Sequence, residues 1–312
     1  MKPFLGKIWR IVRWGLIFFI IFPALKYGSD VNAKFYLDAK RPATGGAARQ
    51  DNEHPLGRRA HGLLIWENDE EFLIRRSKIQ ALIRMAAFQT TLPDPLPGEE
   101  YNVGLAAKML AGTVVQPGEI FSMNRVLGPR TREKGYREGP AYSGGQVIRV
   151  IGGGICKIST TLYNVAILAN LEIIERRAHG MLVPYVPPGQ DATVSYGTVD
   201  FKFRNTTGGP VLIWAEKVEN TLFMAFYGRE TPPKITWGHK VLYRREYPVI
   251  YRYNPGLRPG EERVVQPGAE EIRVRNWIEV DCLGGKSVVK DLGEDYYQPM
   301  PKIIETGKSA AN

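Results

Sequence analysis

Cysteine is nearly absent from the chain: Cys156 and Cys282 are its two thiols in 312 residues. A disulfide framework needs several pairs, so the fold must rest on an ordinary core, and these two fall in different candidate domains. Phosphate-cradling motifs are lacking too. No GxxxxGK(S/T) stretch occurs, and the run of three glycines, Gly152-Gly153-Gly154, does not have the GxGxxG spacing of dinucleotide sites. Histidine is scarce, four in all, and His54 and His61 stand in a polar stretch without further ligands. No metal and no cofactor is expected. The N-terminal apolar run, Trp14 to Leu25, is twelve residues, short of the ~20 a spanning helix needs.

What is present begins with charge. Lys and Arg number 42 against 32 Asp and Glu, a net +10 that favours anionic partners such as wall polymers or anionic lipid. The basic residues are spread among acids and no nucleic-acid-reading motif occurs, so nucleic acid is not an expected partner. With 44% hydrophobic and 24% charged residues the chain can bury a core, and its length allows two domains. Met1 to Arg13 carries Lys2, Lys7, Arg10 and Arg13 and no acid before the apolar run. That pattern predicts export through residues 1–33, as a signal peptide cleaved near Val31-Asn32-Ala33 or as a retained membrane anchor with its positive end inside.

The stretch Ile151 to Asn164 organises the rest. Three glycines open backbone conformations closed to other residues and deliver the chain into an apolar-periodic segment, which places Cys156 in the first turn of a helix. Unpaired N–H groups and the macrodipole favour negative charge there, so the thiol pKa should fall. Ile155, Ile158, Leu162, Val165 and Ala169 make a buried stripe, while Cys156, Ser159, Thr160 and Tyr163 fall on another face. Next comes a strand over 171–177 ending at His179, then turn residues 186–191, then an alternating stretch over 192–205. A thiol, an imidazole and a carboxylate thus arrive in chain order. These are the parts of a Cys–His–acid nucleophilic site, with Asp191 or Asp200 to orient His179.

Several segments carry a family resemblance: Gln116-Pro117-Gly118-Glu119-Ile120-Phe121-Ser122, Gly152 to Cys156, Ser159 to Asn164, Glu175-Arg176-Arg177-Ala178-His179 and Asp191-Ala192-Thr193-Val194. Together they resemble the VanW domain, a bacterial envelope module, over roughly 101–228. The resemblance implies peptidoglycan L,D-transpeptidase chemistry, with Cys156 as nucleophile and His179 as its base. Beside them, Gly153, Gly154 and Lys157 of the glycine turn and Ser159, Thr160 and Tyr163 on the helix face shared with Cys156 are the residues expected to line the substrate site. The family usually carries Gln at Lys157, and an ammonium beside the thiolate would lower its pKa further.

The remaining chain divides by composition. Residues 34–100 form a membrane-proximal region with one helix over 68–89, ended by Pro93, Pro95 and Pro97. Asn102 is expected to cap a short helix over 103–111. Arg130, Arg132, Lys134 and Arg137 cluster around Tyr136, and Arg130 or Arg137 suits bidentate binding of a substrate carboxylate. A strand pair over 211–227 closes the domain; 229–255 reads as a strand-rich connector. Residues 256–307 alternate in short strands with glycine turns and resemble a truncated glycine-rich β module that follows VanW domains in wall proteins, which implies adhesion to glycan; 308–312 is a tail. The fold class expected is α+β: a mainly antiparallel sheet with a Cys-bearing helix, plus a small all-β C-terminal module.

The function expected is cysteine acyl transfer on peptidoglycan stem peptides outside the cytoplasm, with oxyanion donors near Gly154 to Lys157. A non-catalytic wall-binding or scaffold protein and a cysteine peptidase or amidohydrolase are the alternatives.

Overall fold

The computed structural model describes residues 54–92, 94–143, 146–282 and 285–307. The segment expected to direct export, 1–33, and the tail 308–312 lie outside the described residues. Among the described residues no helix is long and apolar enough to cross a membrane.

In chain order the first part comprises β1 (Gly57–Arg59), α1 (Glu70–Lys78), β2 (Ile83–Thr91), α2 (Glu99–Leu110), β3 (Thr113–Val115), β4 (Ile120–Ser122), α3 (Met123–Leu127), β5 (Glu138–Ser143), β6 (Gln146–Ile151), α4 (Cys156–Leu168), β7 (Glu172–Glu175), β8 (Lys202–Arg204), β9 (Val211–Val218) and β10 (Thr221–Gly228). A five-stranded antiparallel sheet in the order β1-β2-β10-β9-β3 is its backbone. Strand alternation explains its two buried faces. From β9 and β10, Val211, Ile213, Ala215, Met224 and Phe226 join the main core with α2 and α4. Leu212, Trp214, Ala225 and Tyr227 point the other way, under α1. There Phe72 meets Trp214 and Tyr227 edge-on, with ring centroids 5.1 and 4.8 Å apart.

The expected helix over 68–89 is two elements. Asp69 caps α1, and the helix ends at Lys78; Gln80 then takes a left-handed φ of 58°. The chain returns as β2, an interior strand between β1 and β10. Long-range pairing there overrides an apolar pattern that also fits a helix. The second helix likewise begins earlier than expected. It starts at Glu99 behind Gly98, and Asn102 lies inside it rather than capping it.

The C-terminal part comprises β11 (Ile235–Arg245), β12 (Val249–Tyr253), β13 (Glu262–Gln266), β14 (Glu271–Asp281), β15 (Ser287–Tyr297) and β16 (Lys302–Thr306). Two three-stranded sheets result, β11-β14-β15 and β12-β16-β13, with β12 and β16 parallel. The segment read as a connector supplies β11 and β12, which pair with β14 and β16. These strands rest on their neighbour. Ile235, Ile278 and Val280 enter the main core, and Ile272, Val274 and Tyr297 pack with Ala178 and Leu182 of the loop after β7. The whole is an α+β fold dominated by antiparallel sheet, with four helices among the described residues.

Candidate active site

Each glycine before α4 answers to a close approach. A Cβ on Gly153 would lie 2.2 Å from the carbonyl carbon and oxygen of Gly139 in β5. Gly152 and Gly154 have φ of 79° and 91°, and a side chain on them would strike Arg130 and Glu99, each at 2.6 Å. Side chains are excluded on both counts. Asn102 locks the arrangement from α2: its amide donates to the carbonyls of Gly153 and Arg137, 2.9 Å each, and its Oδ1 accepts from Arg137 N–H. A residue expected to cap a helix instead ties that helix to the glycine turn. With the turn held, Cys156 becomes the first residue of α4.

Cys156 is partly exposed in the wall of a cavity of about 500 Å³, whose lining includes Arg130, Gly152 to Lys157, His179, Thr193 and Tyr196. Its Sγ lies 3.4 Å from Thr193 Oγ1 and 3.7 Å from the Val194 carbonyl. His179 hydrogen-bonds the sulfur from the irregular loop that follows β7. Asp191 Oδ2 stands 2.7 Å from both Nδ1 and the backbone N–H of His179. One carboxylate oxygen thereby fixes ring and backbone together and leaves Nε2 to the sulfur.

Electrostatics follow from these contacts. Burial pushes the Cys156 thiol up, but the hydrogen bond and charge of His179, with Thr193 and the Val194 backbone, outweigh it and bring it down to about 7. Burial alone would discharge His179; Asp191 and the sulfur raise it to about 10. A thiolate facing an imidazolium is the state those two directions share at neutral pH. Asp191, itself buried, is held below the usual carboxylate range against its own burial by His179 and Arg176.

The structure sorts the remaining candidates. Asp200 accepts from Ser122 Oγ (2.5 Å), Asn124 N–H (2.9 Å) and Phe201 N–H (2.8 Å), so its carboxylate serves the start of α3 rather than His179. Lys157 is 1% exposed and gives its ammonium to Glu100 Oε1 at 2.7 Å and the Asn220 carbonyl at 2.9 Å. It takes no part in lowering the thiol pKa. Ser159 and Thr160 are fully buried and bond the Ala192 carbonyl, and Thr160 also accepts from Ala192 N–H. Tyr163 is buried with Arg176 over its ring at 5.0 Å, and its phenol is pushed up to about 12 by burial. These three hold the 190–193 loop and Arg176 rather than present a surface to substrate. Arg137 is exposed and stacks on Tyr101, while Arg130 lines the cavity. Nε and Nη2 of Arg130 are buried and have no hydrogen-bond partner among the described residues. The N–H groups of Gly153 and Gly154 are spent on the carbonyls of Val150 in β6 and Pro140 in β5, and those of Ile155 and Lys157 on Gly152 and Gly154 of the turn; among the described residues that of Cys156 has no acceptor.

Thr193, two residues past Asp191 in the same segment, and Glu99, whose carboxyl burial lifts to about 7 in the cavity lining, are site residues that no local pattern singles out. Arg176 lies within the segment Glu175 to His179, whose local pattern assigns it no partner. Among the described residues no cluster of three or more His, Cys, Asp or Glu is arranged for a metal ion.

Residues 98–227 match the family model described as VanW like protein. Over that span, less than half of its length, the chain is similar to the VanW-like family. The VanW-like segment is similar to the uncharacterized protein YoaR of Bacillus subtilis (strain 168), 44% identical over 130 residues that cover 42% of this chain and 43% of YoaR. The vancomycin B-type resistance protein VanW of Enterococcus faecalis (strain ATCC 700802 / V583) is 32% identical over 162 residues, 49% of this chain and 58% of that protein. The chain spans about half the length of these curated relatives. Among solved structures, the IgA1 protease G5 domain has 20% identity and a TM-score of 0.17, covering 25% of this chain and 95% of that domain. HP0197-G5 has 21% identity and a TM-score of 0.13, covering 24% of this chain and 99% of that one.

Proposed function

We propose that the protein acts at the bacterial cell wall, where Cys156 transfers an acyl group between peptidoglycan stem peptides in the manner of an L,D-transpeptidase. The observation that carries this reading is the Cys156–His179–Asp191 chain of hydrogen bonds on a cavity wall. The cell-wall part rests on the family match and on a relative named for vancomycin resistance. The net charge of +10 suits an anionic polymer, and the basic, apolar N-terminal sequence suits export.

In the first half-reaction the thiolate attacks a peptide carbonyl carbon, and the N–H of Cys156, which has no acceptor among the described residues, holds the oxyanion. As the C–N bond breaks, His179 gives its proton to the leaving amine and a thioester remains. An acceptor amine then attacks the thioester, returns a proton to His179 and frees the thiolate. Arg130 anchors a substrate carboxylate through its two unused N–H groups. The other three N–H groups expected as oxyanion donors, those of Gly154, Ile155 and Lys157, are already committed to carbonyls, so Cys156 itself is the donor this mechanism uses.

The test is to incubate the full chain with a stem peptide, look for an acyl adduct on Cys156 by mass spectrometry, and analyse products with and without an added amine. An adduct that passes to the amine is expected. Transfer to water alone would make the protein a hydrolase, and no adduct with undiminished wall binding would leave a scaffold protein.

A further inference from the structure

The carboxylate that orients His179 has a second oxygen, and its partners are not local. Tyr297, at the end of β15 and fully buried, donates its hydroxyl to Asp191 Oδ1 and accepts from Gly189 N–H at 2.7 Å. Arg176 approaches the same oxygen at 3.3 Å and is gripped on its far side by both oxygens of Asp295, at 2.6 and 2.7 Å. Asn276 of β14 donates to Asp295 at 3.0 Å, and a side chain on Gly189 would collide with Asn276. Backbone continues the seam, with Gln298 N–H bonded to the Gly180 carbonyl at 2.8 Å. The sulfur, imidazole, carboxylate, guanidinium and final carboxylate therefore form one row of alternating charge. Its outer end lies on strands beyond residue 227, where the family match stops.

We infer that the C-terminal β module completes the acid–base site of the VanW-like segment: Tyr297 and Asp295 are positioning residues that keep Asp191 aimed at His179. This rests on the acyl-transfer reading for its chemistry but not for its geometry. Other charged or titratable groups face the row. Arg130 stands beside Cys156, and Tyr163 stands beneath Arg176. Neither contacts Asp191 through a hydrogen bond among the described residues. Without the Tyr297 hydroxyl, Asp191 is free to rotate from Nδ1; without the Asp295 charge, Arg176 draws the Asp191 carboxylate toward itself. Both changes weaken the imidazolium that faces the thiolate.

The test uses the full chain with Tyr297→Phe, Asp295→Asn and the conservative Asp295→Glu, and reads Cys156 alkylation by iodoacetamide against pH alongside thermal unfolding. The expected result is an alkylation midpoint moved upward in Tyr297→Phe and Asp295→Asn, with a several-fold slower reaction near neutral pH and recovery in Asp295→Glu. Profiles that superimpose on the parent, whether or not the melting temperature falls, would reduce these residues to packing and overturn the inference. Alkylation needs no stem peptide, so shifted profiles in a protein that forms no acyl adduct would sink the acyl-transfer reading and leave this one standing.

Discussion

Lys157 follows Cys156 in the chain, yet its ammonium pairs with Glu100 Oε1 at 2.7 Å instead of facing the sulfur. Both side chains are largely withdrawn from water, 1% and 14% exposed. Removing one member of such a pair leaves a buried charge, which costs about 3 kcal/mol or more. Lys157→Gln is therefore expected to lower unfolding stability by roughly that amount in a denaturant titration. The pH profile of Cys156 alkylation should stay where it is. A shifted profile would show that the ammonium acts on the thiol after all.

Cys156 and His179 define a pH window. The thiol, brought down to about 7, is ionised above that value, and the imidazole, raised to about 10, keeps its proton below it. Acyl transfer is expected to rise through pH 7 and fall through pH 10. The linkage has matching signs: the His179 contribution to stability is complete below its unfolded value and is lost as pH rises through about 10, while that of Cys156 is lost as pH falls through about 7. In His179→Asn the alkylation midpoint should return toward an ordinary thiol near 8.5. An unchanged midpoint would separate the imidazole from the sulfur.

Arg130 offers two buried N–H groups that no described residue uses. A charge-assisted bond to a carboxylate contributes about 1.5–3 kcal/mol, so Arg130→Gln should raise KM for a free-carboxylate stem peptide roughly tenfold to a hundredfold with kcat little changed. The parent should discriminate against the amidated peptide, and the variant should not. Equal discrimination by both proteins would place the carboxylate elsewhere. Arg137→Gln, on the exposed Tyr101 stack, serves as the control.

Gly153 and Gly139 touch backbone to backbone, and a Cβ on Gly153 has no flexible atom to displace. Gly153→Ala is expected to cost about 4 kcal/mol or more, as severe strain in a core does. Gly208→Ala, where nothing lies within 4 Å of the added carbon, should be nearly neutral. Circular dichroism melts of the two variants compare them directly. Equal melting temperatures would mean that the turn relaxes without loss.

What could be read along the chain was whatever a few neighbouring residues settle among themselves. Three glycines followed by an apolar-periodic segment were enough to start a helix at Cys156, and the turn at Asn220 was enough to pair β9 with β10. The order of thiol, imidazole and carboxylate was also legible. Choices between equivalent residues were not, because a local pattern carries no information about which partner arrives from far away. Asp191 meets His179 and Asp200 meets Ser122 through contacts 12 and 78 residues apart in sequence, and Tyr297 reaches Asp191 across 106. Lys157, Arg130 and β2 took their places for the same reason: burial and charge pairing are properties of the packed molecule, in which a side chain's nearest neighbours are seldom its neighbours along the chain.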